Sequence, residues 1–140
     1  MRKSEIRWGA ALGGMLLAEV AQIAAAFAWV AFYSYVIHPG EAPAFYQRYA
    51  ETAAPWVSVL AGAPIFYGIC RWVVSRARGA WPTAMALFGM FLLLDLALVF
   101  AAGGPSPRVA GFMAAGYLSK LLACHLAGRG AAGNEVAEPA

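Results

Sequence analysis

The chain has 140 residues, of which 62% are hydrophobic and only 12% charged, against about 45–50% and about 25% in an ordinary globular domain. A soluble domain of this size has too much surface for its volume to hide so much apolar material, so lipid is the solvent this composition implies. The formal net charge of +3 does not signal nucleic acid, because the basic residues are spread over helix ends rather than gathered into a patch with exposed aromatics.

A membrane-spanning helix needs about 20 mostly apolar residues, and four stretches qualify. The first follows the basic segment Met1–Arg7 and stays apolar from Trp8 to Val36, well beyond the roughly 7–15 residues of a cleavable signal core, so it reads as a retained helix. Its Gly14, Ala18, Ala21 and Ala25 recur at helical spacing, a small-residue face that suits folding of one chain or pairing of two. His38-Pro39-Gly40 ends it. In the loop that follows, to Ala54, Phe45, Tyr46 and Tyr49 fall at helical spacing. That predicts a short amphipathic helix at the interface, either a surface anchor or a lid over a substrate.

The second stretch, Pro55–Val74, opens on a proline at its first turn, where the missing N–H is harmless. It contains Gly62-Ala63-Pro64, and Pro64 predicts a kink that frees a carbonyl near Leu60. The third stretch, Trp81–Ala102, stops at Gly103-Gly104-Pro105-Ser106-Pro107. The fourth spans Arg108–Ala127, after which residues 128–140 are small and polar and predict a disordered tail. The fold class expected is therefore all-α: an antiparallel bundle of four transmembrane helices with a short interfacial helix in the first outer loop.

Lys and Arg placement orients the bundle. One side holds Arg2, Lys3, Arg7, Arg71, Arg76, Arg78 and Arg129, the other only Arg48 and Arg108, with Lys120 inside a helix. Both termini then lie in the cytoplasm. Heavy use of Ala, Gly and Arg fits a bacterial inner-membrane protein.

Ionisable groups at mid-membrane cost about 2.5–3.5 kcal/mol each on the insertion scale, so they need a partner or a task. Glu19, Asp95 and Lys120 stand out, with Gln22 one turn from Glu19 and Tyr117 one turn from Lys120. At about 1.5 Å per residue, Glu19 lies roughly 16 Å deep, Gln22 and Asp95 roughly 21 Å, and Lys120 roughly 10 Å with its stem leaning outward. These depths allow a Glu19–Lys120 pair, leave Asp95 near Gln22, and make Asp95, without a cationic neighbour, the favoured proton carrier. Interhelical glue is the competing role for the same groups.

The remaining chemistry is sparse. Cys70 and Cys124 give no disulfide framework. His38 and His125 sit at opposite ends of the chain's helices and cannot share a haem iron. No metal-ligand spacing, phosphate loop or nucleophile elbow occurs, so no cofactor or metal is expected and an enzyme is the least supported class. Leu16–Ala21 resembles Leu92–Ala97, the kind of likeness a parallel transporter repeat would leave. The segment Leu17-Ala18-Glu19-Val20, an acid in a Gly/Ala-rich first helix, is similar to the corresponding motif of small multidrug-resistance exporters. That likeness covers one helix; the chain's greater length, Lys120 in the last helix and the long aromatic first loop depart from the family's pattern. The functional expectation is a transporter-like or ligand-binding homo-oligomer with a small-molecule or cation ligand. Glu19, Gln22, Asp95, Tyr117 and Lys120 form its centre, and Pro64 shapes the cavity. The alternative is an accessory subunit whose charges are assembly contacts within a larger membrane complex.

Overall fold

The computed structural model describes residues 5–77 and 79–136, without the side chains of Arg108 and of residues 132–136. The basic residues Arg2, Lys3 and Arg78 and the end of the expected tail, 137–140, lie outside it. All regular structure among the described residues is helical: α1 (Trp8–Phe32), a π-helical turn (Tyr33–Ile37), α2 (Pro43–Leu60), α3 (Gly62–Val74), α4 (Ala80–Ala101) and α5 (Pro107–Val136). Trp8–Ile37, Ala80–Ala101 and Val109–Ala131 are long and apolar enough to cross a membrane, and α2 with α3, bent by 44°, make a fourth crossing if counted as one span. Large apolar side chains such as Phe27, Leu60 and Leu93 are more than 70% exposed, as lipid-facing residues would be.

Three parts of the chain differ from the sequence expectation. The short interfacial helix is not a separate element: the segment bearing Phe45, Tyr46 and Tyr49 runs on without interruption into the second apolar stretch, making one helix of 18 residues. Pro55 therefore lies inside α2 rather than at a helix start. Tertiary contact holds the helix through it, with Ala53 buried and the Trp56 ring packed 4.8 Å from that of Phe112. The chain bends instead at Ala61, three residues before Pro64, where the proline withholds the N–H that would have bonded the Leu60 carbonyl. Finally, residues 128–136 do not form a polar tail but continue α5. Gly128 is buried, and an added Cβ there would lie 3.0 Å from Trp81 Cα. Close approach to α4 outweighs the glycine's weak helix propensity.

Packing is concentrated at one end of the molecule. The core joins Ala11, Met15 and Ala18 of α1, Phe66, Cys70, Val73 and Val74 of α3, Ala84, Leu87 and Phe91 of α4, and Ala123, Cys124 and Ala127 of α5. Small residues let the backbones approach. At Gly14 a Cβ would lie only 2.6 Å from Leu87 Cδ1 and 2.8 Å from Val73 Cγ2, so α1 meets both α3 and α4 there. The two cysteines are free and buried side by side between α3 and α5. The Arg7 amide donates to Thr83 Oγ1 at 3.3 Å and its guanidinium to the Arg76 carbonyl at 2.7 Å. These contacts place the start of α1, the end of α3, the start of α4 and the last turns of α5 together, along with Arg7, Arg71, Arg76 and Arg129. α4 ends where Gly103 and Gly104 take φ of +103° and +81°, the left-handed geometry that suits glycine at a helix stop.

The opposite end is looser. α1 and α2 diverge there and leave an apolar groove of about 780 Å³, lined among others by Ala25, Trp29, Trp56 and Leu60. Its outer rim is aromatic: Tyr33 stacks on Tyr49 at 3.6 Å, and Trp29 Nε1 donates to the Tyr49 hydroxyl at 2.9 Å.

The difference between adjacent glycines is testable. Gly14→Ala is expected to lower stability by about 1–3 kcal/mol through overpacking. Gly13→Ala, where a Cβ meets nothing within 4 Å, is expected to be neutral or mildly stabilising. Thermal unfolding of the purified protein in detergent reads both.

Candidate functional site

Lys120 is the pivot of the polar residues. It sits in α5 with 2% of its surface exposed, and an ammonium so enclosed must find acceptor partners and compensating charge or dipoles. Its Nζ donates to Ser58 Oγ at 3.0 Å, and Ser58 in turn donates to Gln22 Oε1 at 3.4 Å. The Nζ also lies 4.9 Å from the centre of the Phe91 ring, 5.7 Å from that of Phe66 and 5.9 Å from that of Tyr117. Ring faces attract a cation where water is excluded. Phe66 and Phe91 are themselves fully buried and meet edge to face at 4.5 Å, which fixes this partial cage.

The bend between α2 and α3 makes room for the lysine. Ser58 is in the last turn of α2, and Gly62 opens α3 on the other side of Ala61. A Cβ on Gly62 would lie 2.7 Å from Lys120 Cε and 2.9 Å from Gln22 Oε1. The side chains of two other helices thus rest directly against the backbone at the break. Pro64 occupies the first turn of α3, where its missing N–H leaves the Leu60 carbonyl without its helical donor.

Two carboxylates, Asp95 and Glu19, lie within electrostatic range of Lys120. The Tyr117 hydroxyl donates to Asp95 Oδ2 at 2.5 Å, tying α5 to α4. Glu19 is within electrostatic range of both Asp95 and Lys120, yet its Oε2 is buried with no hydrogen-bond partner. Among the described residues no carboxylate oxygen comes within 4.0 Å of the Lys120 ammonium. Hence the direct Glu19–Lys120 pair allowed by helix depth is not formed. Asp95 is partnered by Tyr117, and Gln22 belongs to the Lys120–Ser58 chain rather than to Asp95. Glu19 Oε2 is the buried side-chain oxygen left without a hydrogen-bond partner among the described residues.

All five polar residues singled out from the sequence, Glu19, Gln22, Asp95, Tyr117 and Lys120, therefore gather in one region spanning α1, α4 and α5; Pro64 itself is exposed, and it is Gly62, two residues earlier, that touches this region. Sequence reasoning missed Ser58, Gly62, Phe66 and Phe91. Signals for two of them were present: Phe91 precedes Asp95 by four residues, one helical turn, and Gly62 stands two residues before the helix-bending proline. The groove between α1 and α2 ends at Ala25 and Ala61, one turn from Gln22 and one residue from Gly62. None of the five polar residues lines it. The histidine near the other end, His125, accepts a hydrogen bond from Trp81 Nε1 at 3.2 Å, and no cluster of three metal-ligating side chains occurs among the described residues.

Two double-mutant cycles separate these contacts. Tyr117→Phe with Asp95→Asn should show a coupling of about 0.6–1.7 kcal/mol, the range for interhelical hydrogen bonds in a membrane protein. Glu19→Gln with Lys120→Met should couple more weakly, because no hydrogen bond joins them; unfolding of the four single and two double variants checks both. The chain matches no protein-family model, no curated protein and no solved structure.

Proposed function

We propose that the chain is a small polytopic protein of a bacterial inner membrane, an antiparallel bundle of four transmembrane helices with both termini in the cytoplasm. In this reading α2 and α3 form one broken crossing. The gathering of Arg7, Arg71, Arg76 and Arg129 at one end supports that orientation, since cytoplasmic helix ends carry the excess of positive charge. The protein works as a transporter-like or ligand-binding homo-oligomer, and Glu19, Asp95 and Lys120 are its intramembrane centre.

The observation that carries the reading is Glu19 Oε2, enclosed and unpartnered a short way from an ammonium that bonds to Ser58 instead. Charges that serve only to lock helices would satisfy one another, because an unmet buried acceptor costs about 1–3 kcal/mol. A carboxylate held open at such a cost has capacity for a proton or for a polar group of a ligand. The broken helix beside it supports the same reading, since irregular backbone at membrane depth is tolerated where it lines a cavity. The groove between α1 and α2 would admit a ligand from the outer half of the bilayer.

Native mass spectrometry of the protein, extracted from its host membrane in mild detergent, tests this. The expected result is a homo-oligomer carrying a small molecule that is lost from Glu19→Gln and kept by Gly89→Ala, where an added Cβ meets nothing within 4 Å. Recovery in fixed ratio with larger foreign subunits would turn the charges into assembly contacts. Equal ligand content in Glu19→Gln would remove Glu19 from the site.

A further inference from the structure

A second groove lies at the arginine-rich end, away from the Glu19–Asp95–Lys120 centre. It runs between α1 and α3, has a volume of about 500 Å³, and is lined by Arg7, Gly9, Gly13, Leu17, Trp72 and Arg76, among others. We propose that this groove binds one anionic phospholipid, with the headgroup phosphate between Arg7 and Arg76 and an acyl chain along Gly9, Gly13 and Leu17. The inference rests on the membrane part of the proposed function but not on its ligand or transport part.

The rim supplies the charge. Arg7 is held in place by one N–H donated to the Arg76 carbonyl at 2.7 Å, and its guanidinium makes no other hydrogen bond among the described residues. The Arg76 guanidinium lies 5.2 Å from the centre of the Trp72 ring. Two guanidiniums at one mouth, with N–H groups not engaged among the described residues, match a phosphate diester in both charge and fork geometry. Basic pockets between membrane helices on the cytoplasmic side are where anionic headgroups bind. Trp8 and Trp72 are 61% and 53% exposed, and such rings settle at headgroup level, so this mouth sits where a phosphate would be.

The floor supplies the reason for a lipid rather than a soluble anion. A Cβ on Gly9 or Gly13 would meet nothing within 4 Å, so neither glycine is needed for contact between the helices. One residue on, at Gly14, α1 is in tight contact with Val73 and Leu87, which closes the groove from behind. From Gly9 to Leu17 the floor extends about 12 Å along α1, and beyond the arginines its lining is apolar. A soluble phosphate would use only the rim. A phospholipid chain uses the whole length.

The test uses the full chain, purified in detergent, with phosphatidylglycerol and phosphatidylcholine of identical acyl chains as probes and native mass spectrometry as the readout. The wild type is expected to hold one phosphatidylglycerol about tenfold more tightly than phosphatidylcholine, the scale of one charge-assisted contact. Arg76→Gln should erase that preference; its side chain makes no hydrogen bond within the protein among the described residues, so folding should be unchanged. Gly13→Leu should weaken both lipids by filling the floor while leaving the melting temperature intact. Equal retention of the two lipids by the wild type, or full retention of phosphatidylglycerol by both variants, would overturn the proposal. Complete displacement by millimolar inorganic phosphate would show a soluble-anion site and overturn it too. If the protein partitions into the soluble fraction without detergent, the membrane reading fails instead.

Discussion

An ammonium group enclosed by apolar helices is the constraint on which the rest of this structure turns. Lys120 cannot be hydrated where it sits, and a buried cation left alone would cost several kcal/mol. Its position is sustained by a serine hydroxyl, three aromatic faces and two carboxylates within electrostatic range. Tyr117 stands one turn away on α5 itself, and the other groups draw on every other α-helix of the bundle. Ser58 must come from the last turn of α2, Phe66 from α3, Phe91 and Asp95 from α4, and Glu19 from α1. The bend at Ala61 is what lets one stretch of chain offer both a hydroxyl and a glycine to the same lysine. Any larger residue at position 62 would force the lysine stem and the Gln22 amide to shift.

The bundle is correspondingly uneven. Around the arginine-rich end, alanine and glycine bring backbones together and large side chains fill what remains, and the cysteines, Leu87 and Phe91 are enclosed. Beyond the lysine the helices separate, and aromatic residues stack over a groove instead of filling a core. The polar centre stands at the boundary between these regimes. Groups there have a closely packed wall on one side and an open apolar groove on the other.

How far the sequence reveals all this differs from element to element. α4 was legible almost to the residue, because a continuous apolar run is bounded by Pro82 near its start and by two glycines at its stop. α2 was not. The helical spacing of Phe45, Tyr46 and Tyr49 is visible, but whether a helix continues through Pro55 depends on Ala53 and Trp56 finding partners on other helices. The end of α5 was misread for a similar reason: Gly128 is a poor helix former alone and a good one against Trp81 and Ala84. At the site, residue type announced the charged groups, since Glu, Asp and Lys have no ordinary reason to be among apolar residues. Their pairing was hidden. Helix depth gave Glu19 and Lys120 similar heights, whereas partner choice is set by the direction each helix faces and by the break at Ala61.

The buried cysteines have a practical meaning. Cys70 and Cys124 have no solvent-accessible surface and pack against each other, and thiol reactivity depends on exposure of the thiolate. In the folded protein both are shielded from aqueous maleimides. Single cysteines placed at helix ends or along either groove can therefore be read above a silent background, without first replacing two residues of the core.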